Sequence, residues 1–585
     1  MTDSSASDLG HPLAAYADHF APRHAAHASD YFDTLVSLSG VDELENARLV
    51  GELRELERAA SSYRSARNAR VAALVIGALL ALGATVVALT VQHRALLLLV
   101  PAVLVSAVLA TKVRADLARV NALLGDAECE RDARRDMAWK QTEPLNRLHS
   151  WGVARLLLER TFPDMRLDPY VTASRVADLQ TAYGFDPQLG DATSVTVAQS
   201  GSFRDNPFVA VRFLRHWMGS RAYNGSLHIQ WTEQVRTSEG QWVTQSRSET
   251  LTASVTKPFP EYDEHVAFVY GHESVPGLSF SRTSTWLSGR NESRFADWRK
   301  DRKVKKVERL ARRDLVTGRG QLTVMANREF EALFHAVDRT NEIDFRLLFT
   351  PLAQQEMVSL LNDRQFGYGD DFGFTKRGSL NILEPAHLLR AGLEDNPRLF
   401  WRYDVADARR RFLSFHADYF KALYFSLAPL LAIPLYRERR TIPMALAGVP
   451  SSSWWEHERV ANTFGEAAFH HSASVTRNVL KTSAVQVNPS VHAVDVTAYG
   501  YQGFSRVDHV SVRGGDGNLH SVPVPWTEYL GVHRTRRMLV GAAADPQAAG
   551  PADHQLARNW DDAVRQYGAD PAAAIGRDSL VGVLL

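Results

Sequence analysis

Cysteine is nearly absent: Cys129 is the single one among 585 residues. Intramolecular disulfides, CxxC redox chemistry and cysteine-built zinc or iron–sulfur sites are thereby excluded. Net charge is missing too. Lys and Arg number 67 against 66 Asp and Glu, a formal +1, which argues against a wholly nucleic-acid-coating or strongly acidic protein. The N-terminus lacks a basic stretch followed by a short apolar one, so no cleaved signal peptide is expected. No phosphate-cradling glycine loop, Ser-His-Asp ordering or His-Glu-x-x-His motif stands out. The length leaves room for roughly three or four domains. A mean hydropathy of -0.23 suggests a soluble chain, but that average conceals two long apolar runs.

Residues Val71 to Val91 form about 21 uncharged, almost wholly apolar positions, enough at ~1.5 Å per residue to span a ~30 Å hydrocarbon core. Ala95 to Thr111 supplies a second run, with Gln92, His93 and Arg94 between them. Ala73, Gly77, Ala81 and Thr85, then Ala102, Ser106 and Ala110, recur every four residues, a spacing that lets helix backbones approach closely in lipid. Arg64, Arg67 and Arg70 precede the first run, while Lys112, Arg114 and Arg119 follow the second. The positive-inside rule then places both chain ends in the cytoplasm. The lipid bilayer is thus an expected partner.

Leu49, Leu53, Leu56, Ala60 and Tyr63 upstream follow heptad spacing, as do Val113, Leu117, Val120, Leu124 and Ala127 downstream. An antiparallel coiled pair is expected, with self-association through stalk and hairpin equally allowed. The expected fold class is α+β: a transmembrane helical hairpin (71–111) on a coiled-coil stalk (31–70 and 112–150), then cytoplasmic domains containing antiparallel sheet. Residues 1–30 are expected to lack fixed structure. The remainder divides into a β-rich domain (151–289), a basic helix (290–320) and an α+β unit (321–445). A helix with strands (446–538) is expected to complete the earlier sheet, and an Ala-rich, loose tail (539–585) follows. Strand-like runs are Ser194–Gln199, Phe208–Phe213, Ser226–Val235, Trp242–Val255 and Val266–Tyr270, while Phe345–Phe349 reads as extended. Ala422 to Tyr436 is a third apolar run, read as a buried core element or a membrane-dipping segment.

Residues 290–313 hold eleven Lys and Arg against four Asp and Glu, a formal +7. Arg299, Lys300, Arg302, Lys303, Lys305, Lys306, Arg309, Arg312 and Arg313 are candidate contacts to anionic lipid headgroups or another polyanion, a nucleic acid included. A solvated linker helix is the plainer reading. No cofactor is expected, with one alternative. Glu466 and His470, at i,i+4 on a helix, with His457 and His471 nearby, are candidate ligands for a divalent metal. Glu466, His470, Asp370 and Asp371 are the candidate catalytic groups of a metal-dependent hydrolase.

The runs Ala326-Asn-Arg-Glu-Phe-Glu-Ala-Leu-Phe, Phe345-Arg-Leu-Leu-Phe-Thr-Pro-Leu-Ala and Leu380-Asn-Ile resemble an uncharacterised bacterial family of two-span membrane proteins with a cytoplasmic α+β domain. The resemblance covers the hairpin and residues 321–385. It implies a two-pass protein of the bacterial inner membrane and transfers no catalytic residue. The reading that results is a membrane-anchored binding or scaffold protein, with enzymatic activity left open. The alternatives are the hydrolase and a nucleic-acid-binding membrane protein.

Overall fold

The computed structural model describes residues 9–90, 96–236, 238, 241–284, 325, 327–336, 338–441, 451–542, 551–577 and 579–585, with backbone alone for 80–90, 96–110, 551–553 and 577. It is a mixed α+β protein with antiparallel sheets. The chain forms two bodies: residues 28–150 with 396–415, and residues 1–27, 151–395 and 416–585.

The smaller body is built on two long helices. Numbering from the N-terminus, short α1 (Pro12–Ala14) and α2 (Ala21–Ser39) precede α3 (Glu43–Thr90) and α4 (Leu96–Leu148). The last two run antiparallel: Arg134 meets Glu52 at 2.9 Å, Arg135 meets Glu57 at 3.3 Å and Arg64 meets Glu128 at 2.5 Å. Leu53, Ala60, Val120, Leu124 and Ala127 are buried along the seam. Asn46 secures the base, accepting from Val405 N at 2.9 Å and donating to Tyr403 O at 3.0 Å. Among the described residues no helix is long and apolar enough to cross a membrane. Of the apolar runs 71–91 and 95–111, residues 91–95 lie outside the described set and 80–90 and 96–110 are described as helical backbone only.

The larger body contains α5 (Val153–Thr161), β1 (Met165–Leu167), α6 (Ala173–Tyr183), β2 (Thr193–Phe203), β3 (Asn206–Arg236), β4 (Trp242–Gly271) and β5 (Ser279–Arg282). These are followed by α7 (Arg328–Phe334), α8 (Glu342–Leu348), α9 (Pro351–Asn362), β6 (Phe372–Arg377) and β7 (Leu380–Pro385). Helix α10 (Val405–Leu431) leads to α11 (Trp454–Phe464), β8 (Val479–Asn488), β9 (Val491–Arg513), β10 (Leu519–Ala542), α12 (Pro551–Tyr567), β11 (Ile575–Arg577) and β12 (Leu580–Leu584). Two antiparallel sheets result, β1-β2-β3-β4-β7-β6-β5 and β11-β12-β10-β9-β8.

The second sheet repeats the first. Thr172 caps α6 and Ser453 caps α11, each accepting from a backbone N–H three residues on. Each helix is 11 residues long and ends at a glycine with positive φ, Gly184 or Gly465. A strand, a long hairpin, a helix opened by proline and a short hairpin follow in both. The short hairpins share their register, Arg377↔Leu380 and Arg577↔Leu580. The halves exchange aromatic groups at their junction. Tyr170, just before α6, is buried in the core of the second sheet, and Trp455 of α11 in the core of the first. Thr172 and Ser452 form an antiparallel bridge, Ala173 N donating to Ser451 O (2.8 Å) and Ser453 N to Val171 O (3.0 Å).

Several sequence expectations need correction. Residues 12–30 are helical, because Tyr16 and Phe20 share one face and pack on Tyr424 at 5.2 and 5.7 Å. Residues 345–348 belong to α8, capped by Asn341 with Phe345 and Leu348 buried one turn apart, rather than to a strand. Strands 208–213 and 226–235 are one strand, as are 242–255 and 266–270. The C-terminal strands form their own sheet, and the tail, expected to be loose outside a helical pattern at 556–567, supplies β11 and β12 besides α12. The 422–436 run is core: Leu423, Tyr424, Leu427 and Leu431 are fully buried or nearly so. The basic segment 290–313 lies outside the described residues.

Replacing Trp455 by Ala is expected to cost ~3–5 kcal/mol, as for a large buried aromatic. Because the halves share their cores, fluorescence and far-UV circular dichroism should report one coincident unfolding transition for the larger body. Two separated transitions attributable to its two sheets would show that they fold independently.

Candidate functional site

The candidate metal ligands are not brought together. Gly465 ends α11, so Glu466 begins a short 3-10 turn, and the i,i+4 helical face shared with His470 does not form. Glu466 accepts from Asn478 N at 3.0 Å, His470 is half-buried with Nδ1 3.0 Å from Ala467 O, and His471 Nδ1 accepts from Ala473 N at 3.1 Å. His457 is buried against Ser452 Oγ at 2.9 Å. Among the described residues no group of three or more His, Cys, Asp or Glu is placed to hold a metal ion.

Asp370 and Asp371 take separate duties. Asp370 pairs with the buried guanidinium of Arg282. Asp371 Oδ2 lies 2.7 Å from His387 Nδ1, and His387 Nε2 lies 3.1 Å from Ser426 Oγ. The order has the form of a hydrolytic triad, but its geometry is structural. Ser426 is fully buried and donates to Ala422 O at 2.8 Å. His387 Nε2 is also 3.0 Å from that carbonyl, an acceptor that calls for a proton on Nε2, where a general base needs a lone pair. The array ties the β6–β7 hairpin to α10.

Helix α11 carries the densest buried chemistry. Glu456, His457, Glu458 and Arg459 are all buried. Glu456 pairs with Arg459 and accepts from Val171 N at 3.2 Å. Glu458 accepts from Val195 N at 2.8 Å and pairs with Lys481 at 2.8 Å. Burial pushes the Glu458 carboxyl up to about 7 against the opposing pull of Lys481. Burial, with His492 beside it, takes His457 down to about 3. Such groups are costly to leave unpaired; Glu456 and Glu458 draw partners from other elements, while Arg459 pairs within the helix with Glu456.

Beside α11 opens a cleft of about 530 Å³ to which both halves contribute. Arg212, Glu264 and Glu394 come from the first half, and Asn462, Glu466 and Arg477 from the second. Arg477 bridges Glu264 at 3.3 Å and Glu466 at 3.7 Å. Arg212 donates to Ala391 O at 2.8 Å, and burial lowers its pKa against the pull of Glu264 and Glu394. The lining hydroxyls are spent on backbone carbonyls, Thr196 on Arg212 O and Thr463 on Arg459 O. The lining includes no histidine or cysteine. The arrangement suits holding a polar group rather than activating a nucleophile. Of the residues singled out by sequence, Glu466 alone reaches it. Arg212, Glu264, Glu394 and Arg477 are spread over 266 positions and no local motif marks them.

The larger exposed surface is the pair of ribbons. Beyond Arg215, the last β3 residue paired with β2, the β3–β4 hairpin runs on to Arg236↔Trp242, about 70 Å at ~3.3 Å per residue. The β9–β10 hairpin packs on one of its faces through Ile229, Leu251 and Val522. Lys257 pairs with Asp508 at 2.6 Å and lies over the Trp526 ring. A Cβ on Gly225 would sit 2.0 Å from Pro523 O, so the backbones meet only with glycine there. The opposite face carries Ala222, Asn224, Ser226, His228, Gln230, Thr232 and Gln234 on β3. Across from them on β4 stand Thr256, Ser254, Thr252, Thr250, Ser248, Ser246 and Thr244, all exposed. Between residues 222 and 234 it bears no carboxylate, lysine or arginine, and Arg236 stands at its tip.

Two pH dependences follow. Between about 4.5 and 7 unfolded Glu458 releases its proton while the folded group retains it, so its contribution to stability falls as pH rises. Glu458→Gln should flatten that fall, by on the order of 1–3 kcal/mol between pH 5 and 7.5; an unchanged pH profile of thermal midpoints would refute it. His24 and His272, held at about 4, and His457, at about 3, act oppositely. Their stabilising effect is present above 6.5 and lost as pH falls below it, so acid denaturation should begin near pH 6.

Compared with protein-family models, curated proteins and solved structures, the chain finds no match.

Proposed function

We propose that the protein is a membrane-tethered binding or scaffold protein whose working surface is the outward face of the β3–β4 ribbon. The observation that carries this reading is that face: a long two-stranded ladder, packed on one side by β9–β10 and lined on the other by exposed hydroxyl and amide side chains. A ribbon extending about 70 Å beyond its sheet adds little to the core and much contact surface. The dispersal of Glu466, His470, His457, Asp370 and Asp371 supports binding over metal-dependent hydrolysis. The tether is the pair of apolar runs at 71–91 and 95–111, whose basic flanks favour a cytoplasmic orientation for both ends. The +7 composition of 290–313 is of a kind that anionic inner-leaflet lipids attract, each basic residue near such a surface contributing roughly 1 kcal/mol.

Carbonate extraction of membranes from producing cells should leave the full chain in the pellet, and deletion of 71–111 should release it. A full chain that washes off refutes the tether. A photo-crosslinking residue at Thr252, on the ribbon face, should give a discrete heavier adduct in cells. Adducts no stronger than from a crosslinker at exposed Thr181, on α6, would remove the ribbon as the working surface.

A further inference from the structure

The repetition within the larger body exposes a vacancy. In the first sheet β6 is not an edge: β5 lies outside it, antiparallel, with Ser279↔Arg377 and Arg282↔Phe374 in register. Arg282 of β5 is buried, pairs with Asp370 and donates to Phe372 O at 3.1 Å. In the second sheet β11 takes the place of β6, pairing with β12 as β6 pairs with β7. Among the described residues nothing pairs with its outer side, and β11 is the last strand.

The flanking residues repeat as well. Arg364-Gln-Phe-Gly is matched by Arg565-Gln-Tyr-Gly, and Arg377-Gly-Ser-Leu by Arg577-Asp-Ser-Leu. Asp570 stands seven residues before Arg577, as Asp370 stands seven before Arg377. The acid that receives the strand's arginine in the first half is therefore present in the second, where it is exposed and accepts from Ala572 N at 2.9 Å. Lys376 is fully buried, whereas its counterpart Gly576 is exposed with nothing within 4 Å of a Cβ built there. Edge position, acid and open space coincide.

We propose that the outer edge of β11 is a strand-addition site for an extended segment of a partner protein that carries an arginine facing Asp570, as β5 carries Arg282 facing Asp370. Backbone hydrogen bonds to the open edge supply the affinity and the arginine sets the register. This site is separate from the ribbon face and does not depend on it.

The internal strand supplies the probe. A fluorescent peptide with the sequence of residues 277–284 (Gly-Leu-Ser-Phe-Ser-Arg-Thr-Ser) should bind the full-length protein in detergent saturably below 1 mM and slow amide exchange at 575–577. Replacing its arginine by alanine should weaken binding at least fivefold. Asp570→Asn, which keeps the side-chain acceptor for Ala572 N, should do the same and be silent toward the alanine peptide. Absence of saturable binding, binding indifferent to Asp570→Asn, or exchange changes confined to 374–377 (displacement of β5) would each overturn the proposal. So would self-association abolished by Asp570→Asn, since a second copy would then be the occupant.

Discussion

Helix α11 is buried from Trp455 to Ala461 although four consecutive residues within it are ionisable, and the larger body is arranged around satisfying them. The first half of the chain supplies Val171 N to Glu456 and Val195 N to Glu458, while β8 supplies Lys481. Trp455 fills the first core and Tyr170 the second. Neither sheet can therefore complete its interior without the other. The Thr172–Ser452 bridge joins the two halves just ahead of α11, and the cleft lined by Arg212, Glu264 and Glu466 opens at the other end of that helix.

Local pattern made part of this legible. The heptad spacing of Leu53, Ala60, Leu124 and Ala127 marks residues that line the helix pair, and the Lys376-Arg-Gly turn marks the β6–β7 hairpin. Composition misled where a short amphipathic face sat in polar surroundings, as at Tyr16 and Phe20. Alternation misled along β3, where residues 217–225 are exposed or half-buried on both faces and carry no apolar period of the kind that signals a strand. The cleft was illegible because its charges come from β3, β4, the Gly392 loop and the turn after α11, brought together by tertiary folding alone. One signal was present and went unread: Arg-Gln-aromatic-Gly and Arg-x-Ser-Leu, each written twice about 200 residues apart. A repeat of that kind reveals architecture before any single motif does.

The same repeat explains why catalytic-looking residues lead nowhere. Helices α6 and α11 occupy equivalent places, yet α6 has Val176 and Ala177 where α11 has His457 and Glu458. The charged version is the one enclosed between two sheets, where polar side chains find backbone N–H groups at the ends of β2 and β8. Their perturbed titration comes from enclosure in the fold, and a depressed histidine with no route to solvent is no marker of catalysis.

Exposed edges divide the surface by purpose. An unpaired strand edge invites aggregation unless it is blunted. Strand β4 carries Pro258 and Pro260, and β10 carries Pro523 and Pro525, each pair at alternate positions where no other described strand pairs with the ribbon's outer side. Proline has no N–H to give, and residues two apart point their backbone nitrogens the same way, so the outer edges of β4 and β10 cannot take on another strand at these stretches. Their faces remain free for side-chain contact. At β11 no proline intervenes, a glycine stands in the strand and an aspartate flanks it. The second half thus carries the acid that seats β5 in the first half, with no described strand on that edge. An edge that carries the matching acid where the equivalent edge of the first sheet is covered by a strand fits a strand that arrives from elsewhere.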